Sequence, residues 1–147
     1  MQLNLTTDYA VRCILCLSGK KGSIPAKDIC EFAAIGKPYG YRVLHLLKEA
    51  GIVEMKMGAN GGFTLLKDPK DITLLEIMHA TEDTVKINRC LEDDGYCSNS
   101  GVEKCCAVHR FYQGMQNYFE ELLKNITIKD MADSKDISEI VNRVKKK

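Results

Sequence analysis

With 147 residues, 45% of them hydrophobic and 28% charged, the chain has the size of one globular domain, or one domain with an arm, and contains no apolar run that could span a bilayer. A formal net charge of +1 supplies no bulk attraction to nucleic acid or to a membrane surface, so contact with either would have to come from local arrangement. Residues Met1 to Asp8 lack the basic and apolar regions of a secretory leader, and in the cytoplasmic chain this implies, seven cysteines read as reduced thiols or metal ligands rather than a disulfide framework.

In chain order, helical spacing of apolar residues runs from Tyr9 to Leu17, with Thr7 or Asp8 as N-cap. Gly19 and Gly22 close this helix. Pro25 suits the first turn of a second helix, which carries Ile29, Cys30, Phe32 and Ala33 and is broken by Gly36. Pro38 opens a third, with Val43, Leu44 and Leu47 on one face and Gly51 at its end. Helix, short glycine-containing turn and helix is the order of a helix-turn-helix. Two short strands follow, Ile52–Met57 and Phe63–Leu66, joined by Gly58-Ala59-Asn60-Gly61-Gly62; a hairpin after a helix-turn-helix makes a winged helix. Thr73 and Glu76 form a capping box that opens a helix to about Ala80.

Residues 88–106 read as a loop. After it, Val108, Phe111, Tyr112, Met115, Tyr118, Phe119, Leu122, Leu123 and Ile126 recur at spacings of three and four, predicting a helix of about five turns. Its apolar stripe is heavy enough to pack both on its own domain and on a second copy, and helix-turn-helix proteins commonly read two half-sites as dimers. Thr127 caps a short further helix, and Lys145-Lys146-Lys147 reads as a solvated tail. The fold class is therefore mainly α with a small β-hairpin. A winged helix-turn-helix occupies residues 1–85, and a cysteine loop with a long dimerisation helix occupies residues 86–147.

The basic character lies in the first half: residues 1–70 carry ten Lys/Arg against six Asp/Glu, and residues 71–147 eleven against fourteen. On the third helix, Lys37, Tyr39, Tyr41 and Arg42 occupy the N-terminal turns that enter a major groove, with core packing the competing role for Tyr39. Arg42 suits a guanine edge or a phosphate. Lys48 and Lys56 suit phosphates, and Asn60 suits the minor groove. His45 and His79 stand apart from the cysteines and read as structural.

Four cysteines, Cys90, Cys97, Cys105 and Cys106, fall within 17 positions, and His109 follows three residues later. Thiolates are soft donors that suit iron–sulfur clusters, zinc or Cu(I). The Cys-x2–4-Cys knuckles of structural zinc are absent from this loop, so the wide spacing favours a [2Fe-2S] or [4Fe-4S] cluster over zinc or a bare thiol switch. Cys13 and Cys16 lie mid-helix among Ile14, Leu15 and Leu17, away from the helix N-terminus that activates a redox Cys-x-x-Cys, and read as core, as does Cys30.

The ordered set Leu3…Thr7-Asp8-Tyr9-Ala10, Ile24-Pro25…Asp28-Ile29, Tyr39…Leu44-x-x-Leu47-x-x-Ala50-Gly51-Ile52-Val53, Gly58-Ala59-Asn60-Gly61-Gly62-Phe63-x-Leu65 and Cys90…Cys97…Cys106 resembles the Rrf-two family of bacterial transcriptional regulators over residues 1–132. The resemblance implies a homodimer whose long helices cross, binding to a palindromic double-stranded DNA operator, and control by an iron–sulfur cluster that senses nitric oxide, redox state or iron and cluster status. Ile126-Thr127-Ile128-Lys129-Asp130-Met131 is similar to the family's Ile-Thr-Leu-x-Asp-Leu, and counting back from it makes Cys106 the third thiolate, with Cys105 its neighbour. The resemblance offers two fourth ligands: His109, as in IscR-like members, or Asp8 of the other subunit, as in NsrR-like members. Met57 departs from the arginine that many members carry before the wing glycine. A cluster-free, CymR-like regulator of cysteine metabolism is the alternative. No phosphate-binding loop, nucleophile–base pair or metal–water site is visible, so an enzyme is not expected.

Overall fold

The computed structural model describes residues 3–58, 60–94, 96–97 and 106–145. Cys105, Ala59 and the Lys146-Lys147 tail lie outside the described residues. Helix α1 (Leu5–Ser18) is the hub. It places Ala10, Cys13, Ile14 and Leu17 on one buried stripe and packs against α2 (Ala26–Ala33), α3 (Lys37–Glu49), α4 (Leu74–Thr81) and α6 (Ile128–Ala132). The helix starts a turn before the apolar pattern does. Asn4, not Thr7 or Asp8, is the N-cap, and its side chain accepts from Thr6 N at 2.9 Å. Thr7 is fully buried, a polar residue satisfied by Thr81 Oγ1 at 2.7 Å and by donating to Glu82.

Helix α2 buries Ala26, Ile29, Cys30 and Ala33, and α3 buries Gly40, Val43, Leu44 and Leu47, each an i, i+3, i+4, i+7 set. The break between them comes from Ala34, at φ 56° in the left-handed region, and not from Gly36. Ile35 N then closes the turn by donating to Cys30 O at 3.0 Å, while Gly36 serves as the N-cap of α3. The two helices touch at Gly40, where an added Cβ would lie 2.3 Å from Cys30 Sγ. Strands β1 (Val53–Lys56) and β2 (Gly62–Leu65) pair antiparallel, with Val53 opposite Leu65 and Lys56 opposite Gly62. Phe63 also exchanges two backbone hydrogen bonds with Ile24, at 2.8 and 2.9 Å, fixing the wing to the segment ahead of α2.

Thr73 caps α4 by accepting from Glu76 N at 3.2 Å, but the reciprocal half of the expected box is not made, because the Glu76 carboxylate pairs with Lys67. The complete capping box is at Thr127 and Asp130 on α6. A turn at Arg89–Leu91 precedes α5 (Ala107–Asn125), the long predicted helix. After α5 the chain returns to the winged helix: Leu74 N donates to Ile126 O at 2.9 Å and Ile128 N to Ile72 O at 3.0 Å. Ile128 and Ile72 are both fully buried in the main core.

The sequence reading did not anticipate α7 (Ile137–Lys145). It buries Ile140 in a second apolar cluster with Leu74 and Ile126, and Arg143 pairs with Asp130 at 2.9 Å. Asp130 is 3% exposed and also accepts from Lys135 at 3.0 Å and from Thr127 Oγ1 at 2.8 Å. Burial opposes the charged form of this carboxyl, but the hydrogen bonds from Arg143, Thr127 and Lys135 outweigh it and hold the pKa well below its usual range. A carboxyl depressed in the folded state contributes stability above its unfolded value near 3.8 and loses it as pH falls toward the folded value. Asp130→Ala is therefore expected to cost about 2 kcal/mol at pH 7. It should also flatten the loss of helical circular dichroism expected of the parent below about pH 4.

Candidate nucleic-acid interface and thiol loop

The face of α3 turned away from the core carries Tyr41, Arg42, His45, Lys48 and Glu49, all exposed, with Lys37 exposed in the first turn. Among these, Lys37, Tyr41, Arg42 and Lys48 were expected from the sequence. His45 was not; it is a surface group 3.4 Å from Glu49 on this same face, and its i, i+3, i+4 spacing from Arg42 and Tyr41 was the available signal. His79 is likewise exposed. Tyr39 is only half-exposed: its hydroxyl is 2.6 Å from Thr6 Oγ1 and its ring meets Tyr9 edge-on at 5.6 Å. It thereby ties the start of α3 to the start of α1.

On the wing, Lys56 and Asn60 are exposed, and Lys56 lies 3.3 Å from Glu54, its neighbour on the same strand face. Met57, where the resemblance expects arginine, is 84% exposed. The wing glycines have a structural cause of their own. A Cβ on Gly61 would meet Lys56 O at 2.6 Å, and a Cβ on Gly62 would meet Ile24 O at 2.3 Å. Gly62 also stands at φ +153°. These glycines therefore let β2 press against the backbone of its own domain, whatever they allow at a minor groove.

The cysteines divide into two populations. Cys13, Cys16 and Cys30 are buried in the helical core. Burial, with Cys30 and Cys16 adding to it, pushes the Cys13 thiol up to about 12; burial also raises Cys16 and Cys30. Cys90 and Cys106 are half-buried and Cys97 is exposed. Cys90 sits in the Arg89–Leu91 turn, where the Asn88 side chain accepts from Cys90 N at 3.1 Å. Beside it Arg89 forks onto Asp94 and stacks over the Tyr96 ring at 5.4 Å. This turn packs on α5, and Cys106 is the N-cap residue of that same helix. His109 is exposed in the first turn of α5. Asp8 lies on α1, paired with Arg12 at 2.6 Å. Among the described residues, no three His, Cys, Asp or Glu side chains come together as a ligand set.

Residues 3–134 match the family model described as Rrf2, iron-dependent transcriptional regulator. The chain belongs to the Rrf2 family. It is 28% identical to the helix-turn-helix-type transcriptional regulator IscR of Escherichia coli over 145 residues, 97% of this chain and 87% of that one. In fold it is similar to CymR, the global cysteine regulator of B. subtilis, with a TM-score of 0.73 and 22% identity over 92% of this chain and 99% of that one. It is also similar to T. potens IscR, with a TM-score of 0.69 and 23% identity over 91% and 88%. The Rrf2 chain is thus a DNA-binding transcriptional regulator of winged-helix fold, and its relatives are regulators, not enzymes. No helix among the described residues is long and apolar enough to cross a membrane.

The contact of Gly62 with Ile24 predicts a graded response to alanine. Gly62→Ala should lower stability by about 3 kcal/mol in urea unfolding. Gly36→Ala, at φ −63° with nothing within 4 Å of the new Cβ, should change it by less than about 1 kcal/mol.

Proposed function

We propose that the chain acts as a homodimer on a palindromic operator and that an iron–sulfur cluster on the cysteine loop sets its affinity. The observation that carries this reading is that Cys90 and Cys106 are both referenced to α5: the Cys90 turn packs on it and Cys106 occupies its N-cap position. The donor set fits the group. Three accessible or half-accessible thiols are soft ligands of the kind such a cluster takes, and one of them stands at the start of a 19-residue helix. The iron dependence in the family's description agrees with this.

Cys90, Cys97 and Cys106 would supply the thiolates, with Cys105 as neighbour to Cys106, and His109 or the Asp8 of a second copy would complete the set. A bound cluster supplies a centre that responds to nitric oxide, redox state or iron status. The chain's own residues do the rest. In the N-terminal unit, residues 1–85, Lys37, Tyr41 and Arg42 face the major groove, with Tyr39 holding the helix that presents them. Lys48 and Lys56 neutralise phosphates, and Asn60 reaches the minor groove. In residues 86–147, α5 presents Val108, Phe111, Met115 and Tyr118 to solvent, and Phe111 is 66% exposed. This face, with Gly114 open at its centre, fits a second copy of the chain. Ordering of the 90–109 segment against α5 narrows the separations available to the two α3 helices, and its release widens them.

The dimer is tested by Phe111→Glu, which should raise the dimer dissociation constant by at least about 30-fold in analytical ultracentrifugation. The cluster is tested by iron and sulfide assays and a visible spectrum on protein purified without oxygen. A broad, featureless band would indicate [4Fe-4S] and favour Asp8; structured bands would indicate [2Fe-2S] and favour His109. Cys97→Ala should abolish iron retention and shift operator affinity by about tenfold. Unchanged affinity in an iron-free variant would defeat the mechanism. Colourless, iron-free parent protein from iron-replete cells would leave the cluster-free regulator suggested by the likeness to CymR.

A further inference from the structure

Of the described residues of α5, only Gln116 is fully buried, at 1% exposure, on a helix whose stripe is otherwise apolar. A buried amide on such a face must find partners, and all of its partners lie on or next to one short segment. Gln116 Oε1 accepts from Ile87 N at 2.9 Å. Gln116 Nε2 donates to Val85 O at 3.1 Å and to Glu120 Oε1 at 3.0 Å. The same Glu120 oxygen accepts from Lys86 Nζ at 3.2 Å. Residues 85, 86 and 87 are thus each fastened to α5, two through their backbone and one through its side chain. Three residues on from Ile87 is Cys90, and between them Asn88 caps the Cys90 turn.

We infer that Gln116 is a positioning residue for the cysteine loop: it sets the placement of Cys90 relative to Cys106 by holding the 85–87 backbone to the helix that Cys106 begins. This rests on the iron–sulfur reading of the loop. The logic is that of an outer partner that orients a ligand without touching what it binds. Cys106 needs no such device, being the N-cap residue of α5 itself. Cys90 reaches α5 from the end of α4, across residues 82–89, and without the amide those residues have two fewer backbone bonds to the helix. The Lys86–Glu120 pair adds to the attachment but is partly exposed and screened, so the buried amide is the larger contribution.

The test compares the parent with Gln116→Met, a near-isostere that keeps the packing volume and the helix propensity but has no amide. Glu120→Gln, which cuts the charge pair and leaves the two backbone bonds, serves as control. On protein purified without oxygen, three quantities are read: hydrogen exchange at the Ile87 amide, the visible spectrum, and the rate at which iron is lost to a chelator. In Gln116→Met, Ile87 should exchange faster, the spectrum should shift, and iron loss should accelerate by about tenfold, the range seen when outer-shell partners of metal ligands are removed. Glu120→Gln should change iron loss by less than about threefold. Released Ile87 with parental spectrum and parental iron loss would overturn the positioning role and leave the cluster reading standing. Parent protein that retains no iron would overturn the cluster reading, and the positioning role with it.

Discussion

Helix α5 carries more apolar surface than the other described residues cover. Its inward side lies on α4, the 85–91 segment and α7, while Phe111 and its neighbours face water. Everything downstream of the wing is arranged around this imbalance. At its C-terminal end the helix is held by the exchange of backbone bonds between residues 72–74 and 126–128, which inserts Ile128 into the core beneath α1. At its middle it is held by Gln116. At its N-terminal end it begins at a cysteine. One helix thus runs from that cysteine to a junction built into the winged-helix core.

The winged helix is held together by close backbone contacts. Helices α2 and α3 meet where Cys30 fills the space left by Gly40, and the wing is clamped to Ile24 where Gly62 has no side chain. Tyr39 spans from α3 to α1 through Thr6 and Tyr9. These contacts fix how α3 and the hairpin are presented together, so the exposed side chains of Tyr41, Arg42, His45 and Lys48 are displayed on a frame with little freedom of its own.

Much of this was legible in the sequence, because periodicity reports which face is buried. The buried stripes of α1, α2 and α3 follow from it, and so does the existence of α5, though most of its apolar series is not buried; the hairpin and the Thr127 cap follow from turn and capping residues. What stayed hidden depends on partners distant in the chain. The first turn of α1 looks polar, yet Thr7 is buried because Thr81 and Glu82, more than 70 residues on, receive it. Ala34 enters the left-handed region against its own preference, held by the flanking turn bonds. Helix α7 is short and charged, and what anchors it is one buried isoleucine, Ile140, and an ion pair with a buried aspartate on another helix. Gln116 left a trace, a polar residue interrupting the inward series Tyr112, Phe119 and Leu123, but its partners could not be named without the fold. The cysteine spacing announced soft donors, and the described residues show two of them referenced to one helix without gathering them.

The separation of the thiols into two populations has a kinetic meaning. Burial pushes the thiols of Cys13, Cys16 and Cys30 up, which disfavours their thiolates, and only thiolate attacks peroxide, disulfides or alkylating agents. The sulfur atoms packed among α1, α2 and α3 are therefore held in the protonated form that does not attack. A reagent that attacks thiolates would pass over the sulfur atoms packed inside the winged helix and leave its frame covalently untouched.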